Sequence, residues 1–196
     1  MARDTFAELS DEALVVLYAH GDSDAARLLT GRLLPRVLGY ASRLLGDRAE
    51  AEDVAQDAML RLWRIAPEWR QDEAKIGTWL YRVVTNLCMD RHRAHQRRRI
   101  DALDDVPEPA DAAAGAEAGL IEADRMTALA AGLAVLPERQ RQAVVLRHIE
   151  GLTNPEIAQI LEIGVEAVES LVARGKRALA LALSGQRAVL GYEEVR

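Results

Sequence analysis

Apolar positions recur at i, i+3 and i+4 along most of this chain, and no stretch keeps the alternation of a strand for long. Four helices are predicted before residue 100. The first runs from Ser10-Asp11 to His20, where Gly21-Asp22 ends it. The next spans about Ser23 to Leu45, is closed by Gly46-Asp47, and carries Pro35 as the place for a bend. A third covers about Ala49 to Ile65 and stops at Pro67. The fourth starts with Thr78 as N-cap and runs into a block of arginines. A loop from Ala66 to Gly77, with Trp69, Arg70 and Lys75, separates these two.

The later segments keep the same helical spacing. Leu136-Pro137-Glu138 opens a helix through Val144, Val145 and Ile149 that Gly151 ends. Thr153 and Glu156 have capping-box spacing with Pro155 in the first turn, so a short helix follows to Leu161. Glu162-Ile163-Gly164 allows a sharp turn, and a last helix extends from about Val165 to Leu183. With Ile157, Ala158, Leu161, Ile163, Val168 and Leu171 as shared core, the two form a helix-turn-helix.

Between these halves, residues 100–124 hold eight acidic side chains and no Lys or Arg, and Pro107, Pro109 and Gly115 interrupt any helix. Like charges extend a chain, so this stretch reads as a flexible acidic linker. The fold class is therefore all-α, with two small helical domains. Their expected bounds are 1–99, 100–124 for the linker, 125–184, and 185–196 for a C-terminal tail. The formal net charge of −6 is largely a property of the linker.

That matters for the fourth helix, whose cations would otherwise be hidden in an acidic total. At about 100° per residue, Leu80, Val83, Val84 and Leu87 share one face, whereas Trp79, Arg82, Asn86, Arg93 and Arg97 gather on the other. An indole, an amide and guanidinium groups on one face suit contact with bases and phosphates. A solvated helix end, with Trp79 tucked under a neighbouring loop, produces the same pattern. The third helix buries Ala51, Val54, Ala55, Ala58, Met59, Leu62 and Ile65 and leaves Asp53, Gln56, Asp57, Leu60 and Arg64 on a second face. An acidic patch around a leucine suits docking on a basic partner helix, and an ordinary solvated face also gives it.

Other classes find little support. His20, His92, His95 and His148 are dispersed, and no carboxylate pair or glycine-rich phosphate loop stands beside a nucleophile. Neither an enzyme, a metal site nor a cofactor is expected. The one cysteine, Cys88, reads as a small core residue. No apolar run reaches the roughly 18 residues of a membrane span, and the N-terminus lacks a secretory pattern, so no membrane insertion and a cytoplasmic location are expected.

The segments DEALVVLYAHGD, RLLGDRAEAEDVAQDAMLRLWR, TWLYRVVTNLCMDRHRAHQRRR and LPERQRQAVVLRHIEGLTNPEIAQIL together resemble the extracytoplasmic-function type of sigma factor, the minimal two-domain specificity subunits of bacterial RNA polymerase. The likeness covers Asp11 to about Leu183. It implies core polymerase, promoter DNA and an anti-sigma factor as partners. By position, Asp53, Gln56, Asp57 and Leu60 become contacts to the clamp helices of core polymerase. Asn86 becomes a holder of a base flipped from the minus-ten element, with the Trp69 to Gly77 loop, including Lys75, as the other wall and Trp79 as the melting wedge. Arg91, Arg93, Arg97, Arg98 and Arg99 become phosphate anchors. The helix-turn-helix becomes the reader of the minus-thirty-five element, with Glu166, Glu169, Ser170, Arg174, Lys176 and Arg177 on its second helix.

Two departures bear on that inference. Primary sigma factors carry adjacent tryptophans at the wedge, whereas this chain has Trp79-Leu80, so stringent promoter choice is expected. Many relatives carry Lys or Arg where Glu169 and Leu171 stand and Gly where Glu162 stands. A carboxylate there repels phosphates unless it accepts from a cytosine amino group. The alternatives are a sigma-like decoy that sequesters an anti-sigma factor and a free-standing helix-turn-helix repressor. The first leaves the arginine run without a use; the second leaves the Asp53 to Leu60 face without one.

Overall fold

Side-chain caps set where the helices begin. In the computed structural model, which describes residues 8–69, 75–101 and 117–184, Ser10 accepts from the Ala13 N–H, Asp22 from Asp24 and Ala25, and Asp47 from Glu50. These caps open α1 (Asp11–Ala19), α2 (Ser23–Leu45) and α3 (Arg48–Ile65). A 3-10 turn, Ala66–Glu68, follows, then α4 (Ile76–Asp101), α5 (Glu117–Ala134), α6 (Glu138–His148), α7 (Asn154–Leu161) and α8 (Val165–Ser184). No strand occurs among the described residues, so the fold is all-α as expected. Pro35 lies inside α2 on its exposed side, and the helix continues past it.

Two boundaries differ from the sequence reading. Helix α4 begins at Ile76, and Thr78 is a buried residue of its first turn rather than its cap. The backbone N–H of Ile76 donates instead to the Glu12 carboxylate of α1 at 3.3 Å, a partner that no local pattern reveals. Helix also enters both ends of the 100–124 stretch: Ile100 and Asp101 belong to α4, and residues 117–124 open α5. Alanine and leucine carry that segment into a helix. The rest of the expected linker, 102–116, and the expected tail, 185–196, lie outside the described residues, as does Arg70.

The first half is built on α2, which buries Leu29, Leu33, Val37, Tyr40 and Leu44 against α3 and α4. Leu80, Val84 and Cys88 of α4 complete this core. Tyr40 and Thr85 hydrogen-bond at 2.9 Å in the middle of it, so neither hydroxyl is left unpaired in an apolar setting. Burial pushes the Cys88 thiol up to about 12, which keeps it a protonated core residue. In the second half α6 and α8 pack closely at Gly175, where a Cβ would lie 2.6 Å from Val144 Cγ2.

The two halves are not apart in space. Helix α4 packs against α7, and α2 against α5 and α6, so one hydrophobic cluster runs through both.

Two substitutions test this packing. Glu162 ends α7 with φ 55°, the left-handed region in which a side chain costs about 1 kcal/mol, so Glu162→Gly should stabilise the chain by about that amount in denaturant melts. Gly175→Ala should destabilise it by about 1–3 kcal/mol, because both Val144 and the Gln140 carbonyl must give way.

Candidate nucleic-acid interface

Helix α4 presents two different sides because its apolar residues are spaced for one face only. Leu80, Val84 and Cys88 are buried, while Arg82, Asn86, Arg93, Arg97 and Arg98 are exposed. Trp79 is half-buried. Its ring meets Trp69 edge-on, with centroids 6.1 Å apart, so the two tryptophans support each other at the start of the helix. Trp69 is only 9% exposed, and its indole N–H finds no acceptor among the described residues. The sequence reading thus placed both tryptophans in one neighbourhood, but Trp69 is turned inward beneath Trp79. Arg99 lies in α4, and its side chain is outside the described residues.

Several of the cations already have carboxylate partners. Arg91 lies 3.6 Å from Asp53 of α3, and Arg93 lies 3.4 Å from Asp90. Lys75 meets Glu156 at 3.0 Å, and Arg82 meets Glu162 at 3.9 Å. The last two pairs reach across from the helix-turn-helix.

Glu156 is held from two directions. Its carboxylate accepts from the Thr153 N–H at 2.9 Å and hydroxyl at 2.7 Å, completing the capping box that the sequence predicted. These bonds, and then Lys75, lower its pKa to about 2. The folded value lies below the unfolded one near 4.5, so this carboxylate adds stability above pH 4.5 and loses it as pH falls toward 2.

On α3, Asp53, Gln56, Asp57 and Leu60 are all exposed, Leu60 by 45%. Beside them a cleft of about 400 Å³ is lined by Leu34, Leu38, Ala55, Met59, Leu60 and Trp63. Sequence reasoning found the α3 side of this cleft and missed the α2 side. Leu34 and Leu38 stand at i, i+4, offset from the buried row of Leu33 and Val37, and that offset is the signal that was available.

In the helix-turn-helix, Glu166, Glu169, Ser170, Arg174, Lys176 and Arg177 of α8 are all exposed, while Val168 and Gly175 turn inward. The second helix of the motif therefore shows one open polar side. Glu150, just after α6, was not singled out from the sequence. It accepts from the Tyr81 hydroxyl at 2.5 Å and pairs with Arg43 at 3.3 Å, with its side chain 8% exposed. Burial and this carboxylate push the Tyr81 pKa up, so its hydroxyl remains a donor. No group of His, Cys, Asp and Glu suited to a metal ion occurs among the described residues.

One helical core thus carries a cationic, tryptophan-bearing helix, an acidic helix beside an apolar cleft, and a helix-turn-helix. Residues 29–98 match the Sigma-70 region 2 family and residues 126–179 match Sigma-70, region 4. The RNA polymerase sigma-H factor of Pseudomonas aeruginosa is 31% identical over 88% of this chain and 93% of its own. The ECF RNA polymerase sigma factor SigM of Mycobacterium tuberculosis is 34% identical over 88% of this chain and 84% of its own. Among solved structures, the sigma factor RpoE in complex with the anti-sigma factor NepR from Bartonella quintana is similar with a TM-score of 0.69 at 22% identity, covering 81% of this chain and 96% of that one. CnrH in complex with the cytosolic domain of CnrY is similar with a TM-score of 0.65 at 26% identity, covering 89% and 97%. The chain belongs to the sigma-70 family of RNA polymerase sigma factors, in its extracytoplasmic-function group.

The capping box gives a direct test of the electrostatics. In a carbon-detected NMR titration, Thr153→Val should raise the Glu156 midpoint part of the way from about 2 toward 4.5, since it removes the hydroxyl bond and leaves the backbone N–H bond and Lys75 in place. An unchanged midpoint would assign the depression to the Thr153 backbone N–H and Lys75 rather than to the hydroxyl.

Proposed function

We propose that this chain binds core RNA polymerase and directs promoter-specific initiation, with residues 1–99 engaging the clamp helices and the minus-ten element and residues 125–184 reading the minus-thirty-five element. The observation that carries this reading is the separation of two exposed chemistries on one small core: acids around Leu60 on α3, and Asn86 among arginines on α4.

The α3 side supplies the docking. Asp53, Gln56 and Asp57 offer acceptors to a basic helix, and Leu60 with the adjoining cleft takes its apolar side chains. The α4 side supplies the melting. Trp79 wedges at the base step, the Asn86 amide holds an extruded base by its edge, and Arg93, Arg97, Arg98 and Arg99 hold phosphates without reading sequence. Lys75 and Arg91 join them once released from Glu156 and Asp53. On α8, Arg174, Lys176 and Arg177 anchor the upstream duplex, and Glu166, Glu169 and Ser170 are placed to contact base edges.

The protein lowers the cost of a melted intermediate, while nucleotidyl transfer belongs to the polymerase. It is therefore not itself an enzyme and requires no cofactor. No described helix is long and apolar enough to cross a membrane, which agrees with a cytoplasmic place of work. The likeness to RpoE bound to NepR supports an anti-sigma factor as a further partner, one that holds activity off until a signal releases it.

Asn86→Ala should slow open-complex formation by roughly tenfold or more, the worth of one bidentate base contact, with core affinity unchanged in fluorescence anisotropy. Equal loss of both would remove Asn86 from the pocket. Asp53→Lys with Asp57→Lys should weaken core binding by about a hundredfold and leave the circular dichroism spectrum intact; a normal holoenzyme from that variant would refute the docking face.

A further inference from the structure

The first turns of α8 carry an unusual set of groups for a helix that reads DNA. Between residues 165 and 173 its exposed side chains are Val165, Glu166, Ala167, Glu169, Ser170 and Ala173. None of them is a cation or an amide. Cations begin only at Arg174, with Lys176 and Arg177 beyond it. At about 100° per residue Arg174 and Lys176 point roughly 160° apart, toward opposite rims of the open side, whereas Glu166, Ser170 and Ala173 lie along its centre. The second helix of a helix-turn-helix turns its N-terminal residues to base edges in the major groove. The acids of α8 therefore stand at the bases and its cations at the phosphates.

Neither acid has a task inside the protein that accounts for both. Among the described residues, no hydrogen bond or ion pair engages the Glu166 or the Glu169 carboxylate. Glu166 lies in the first turn, where a carboxylate also suits the helix dipole. Glu169 lies past that turn, and the dipole gives it no such role.

The chemistry of the groove decides what a carboxylate can meet there. Guanine presents N7 and O6, and thymine presents O4; all are acceptors and repel it. Adenine offers its N6 amino group, but beside the acceptor N7. Cytosine offers an N4 amino donor with no acceptor of its own next to it. Reading guanine or adenine from the protein side takes Arg, Lys, Asn or Gln, and the open side of α8 holds none of these before Arg174. The two acids are three residues apart, about 4.5 Å along the helix, close to the roughly 3.4 Å step between base pairs, so they fall on neighbouring pairs.

We propose that Glu166 and Glu169 are the specificity-determining residues of the upstream element, each accepting a hydrogen bond from the N4 amino group of a cytosine, so that the element carries cytosines at two neighbouring base pairs. The inference rests on the reading of the helix-turn-helix as the minus-thirty-five domain. It adds that this chain selects its upstream element with acceptors, where a cationic helix selects with donors to guanine. Arg174 and Lys176 hold the two backbones whatever the sequence, and the Ala173 methyl suits a thymine methyl.

The test uses holoenzyme assembled from core polymerase and the full chain. A promoter at which it starts transcription is rebuilt with its upstream element randomised, and the templates that yield transcripts are sequenced for wild type, Glu166→Gln and Glu169→Gln. Wild type should enrich cytosine at two adjacent base pairs. Glutamine pairs with both N6 and N7 of adenine, so each variant should shift the preference from cytosine to adenine at one of these pairs by roughly tenfold and leave the other pair unchanged. Both side chains are exposed and glutamine is as good a helix former as glutamate, so the helix is retained. A lower transcript yield with unchanged base preference overturns the proposal. So does a cytosine preference that survives both substitutions, or wild-type enrichment of another base at the pairs that the variants shift. If wild type enriches no base anywhere in the randomised stretch, the reading of the helix-turn-helix fails and the proposal with it, which tells that failure apart from failure of the two glutamates alone.

Discussion

Everything in this molecule depends on α4 being apolar along one side and cationic along the other. The apolar side is fixed by Leu80, Val84 and Cys88 against α2 and α3, and the buried Tyr40–Thr85 bond pins its rotation. A helix so fixed has no freedom to hide Arg82, Asn86, Arg93 and Arg97, which remain outside. The cost of burying a guanidinium without a partner enforces the same orientation from the other direction. Within that outer face Arg82 lies 3.9 Å from Glu162 of the C-terminal half.

Much of this was legible in the sequence because it is local. The aspartates and serine that cap α1 to α3, the Thr153–Glu156 box and the helical spacing of Val54, Ala55, Ala58 and Leu62 all act within a few residues of themselves. The start of α4 was misjudged because its first N–H is satisfied by Glu12, distant in sequence. Glu150 was overlooked for a similar reason. Its position after α6 looks like an ordinary turn, and only folding brings Arg43 and Tyr81 to it. Arg82 was placed on the polar face, but its pairing with Glu162 is a property of two helices from different halves. Non-local contacts of single charged residues leave no periodic trace.

The interface between the halves joins a shared apolar core to a rim of ion pairs. Glu150 is buried and doubly satisfied, while Lys75, Arg82 and Glu162 are well exposed, and exposed ion pairs are worth little individually. Glu162 also sits in a backbone conformation that glycine would adopt more easily. The exposed apolar cleft between α2 and α3 has a similar logic. Leu60 and its neighbours are stable without a partner but lose water when one arrives.

The central claim is that the acids of α3 and the cations of α4 serve one task, the loading of a polymerase onto chosen promoters. The most direct measurement is transcription in vitro from a pool of genomic promoter fragments with purified core polymerase and this chain, followed by sequencing of the transcript starts. Starts that share a two-part upstream motif, absent when core polymerase is alone, are the predicted result. A folded chain that neither binds core polymerase nor changes the pattern of starts would contradict the account.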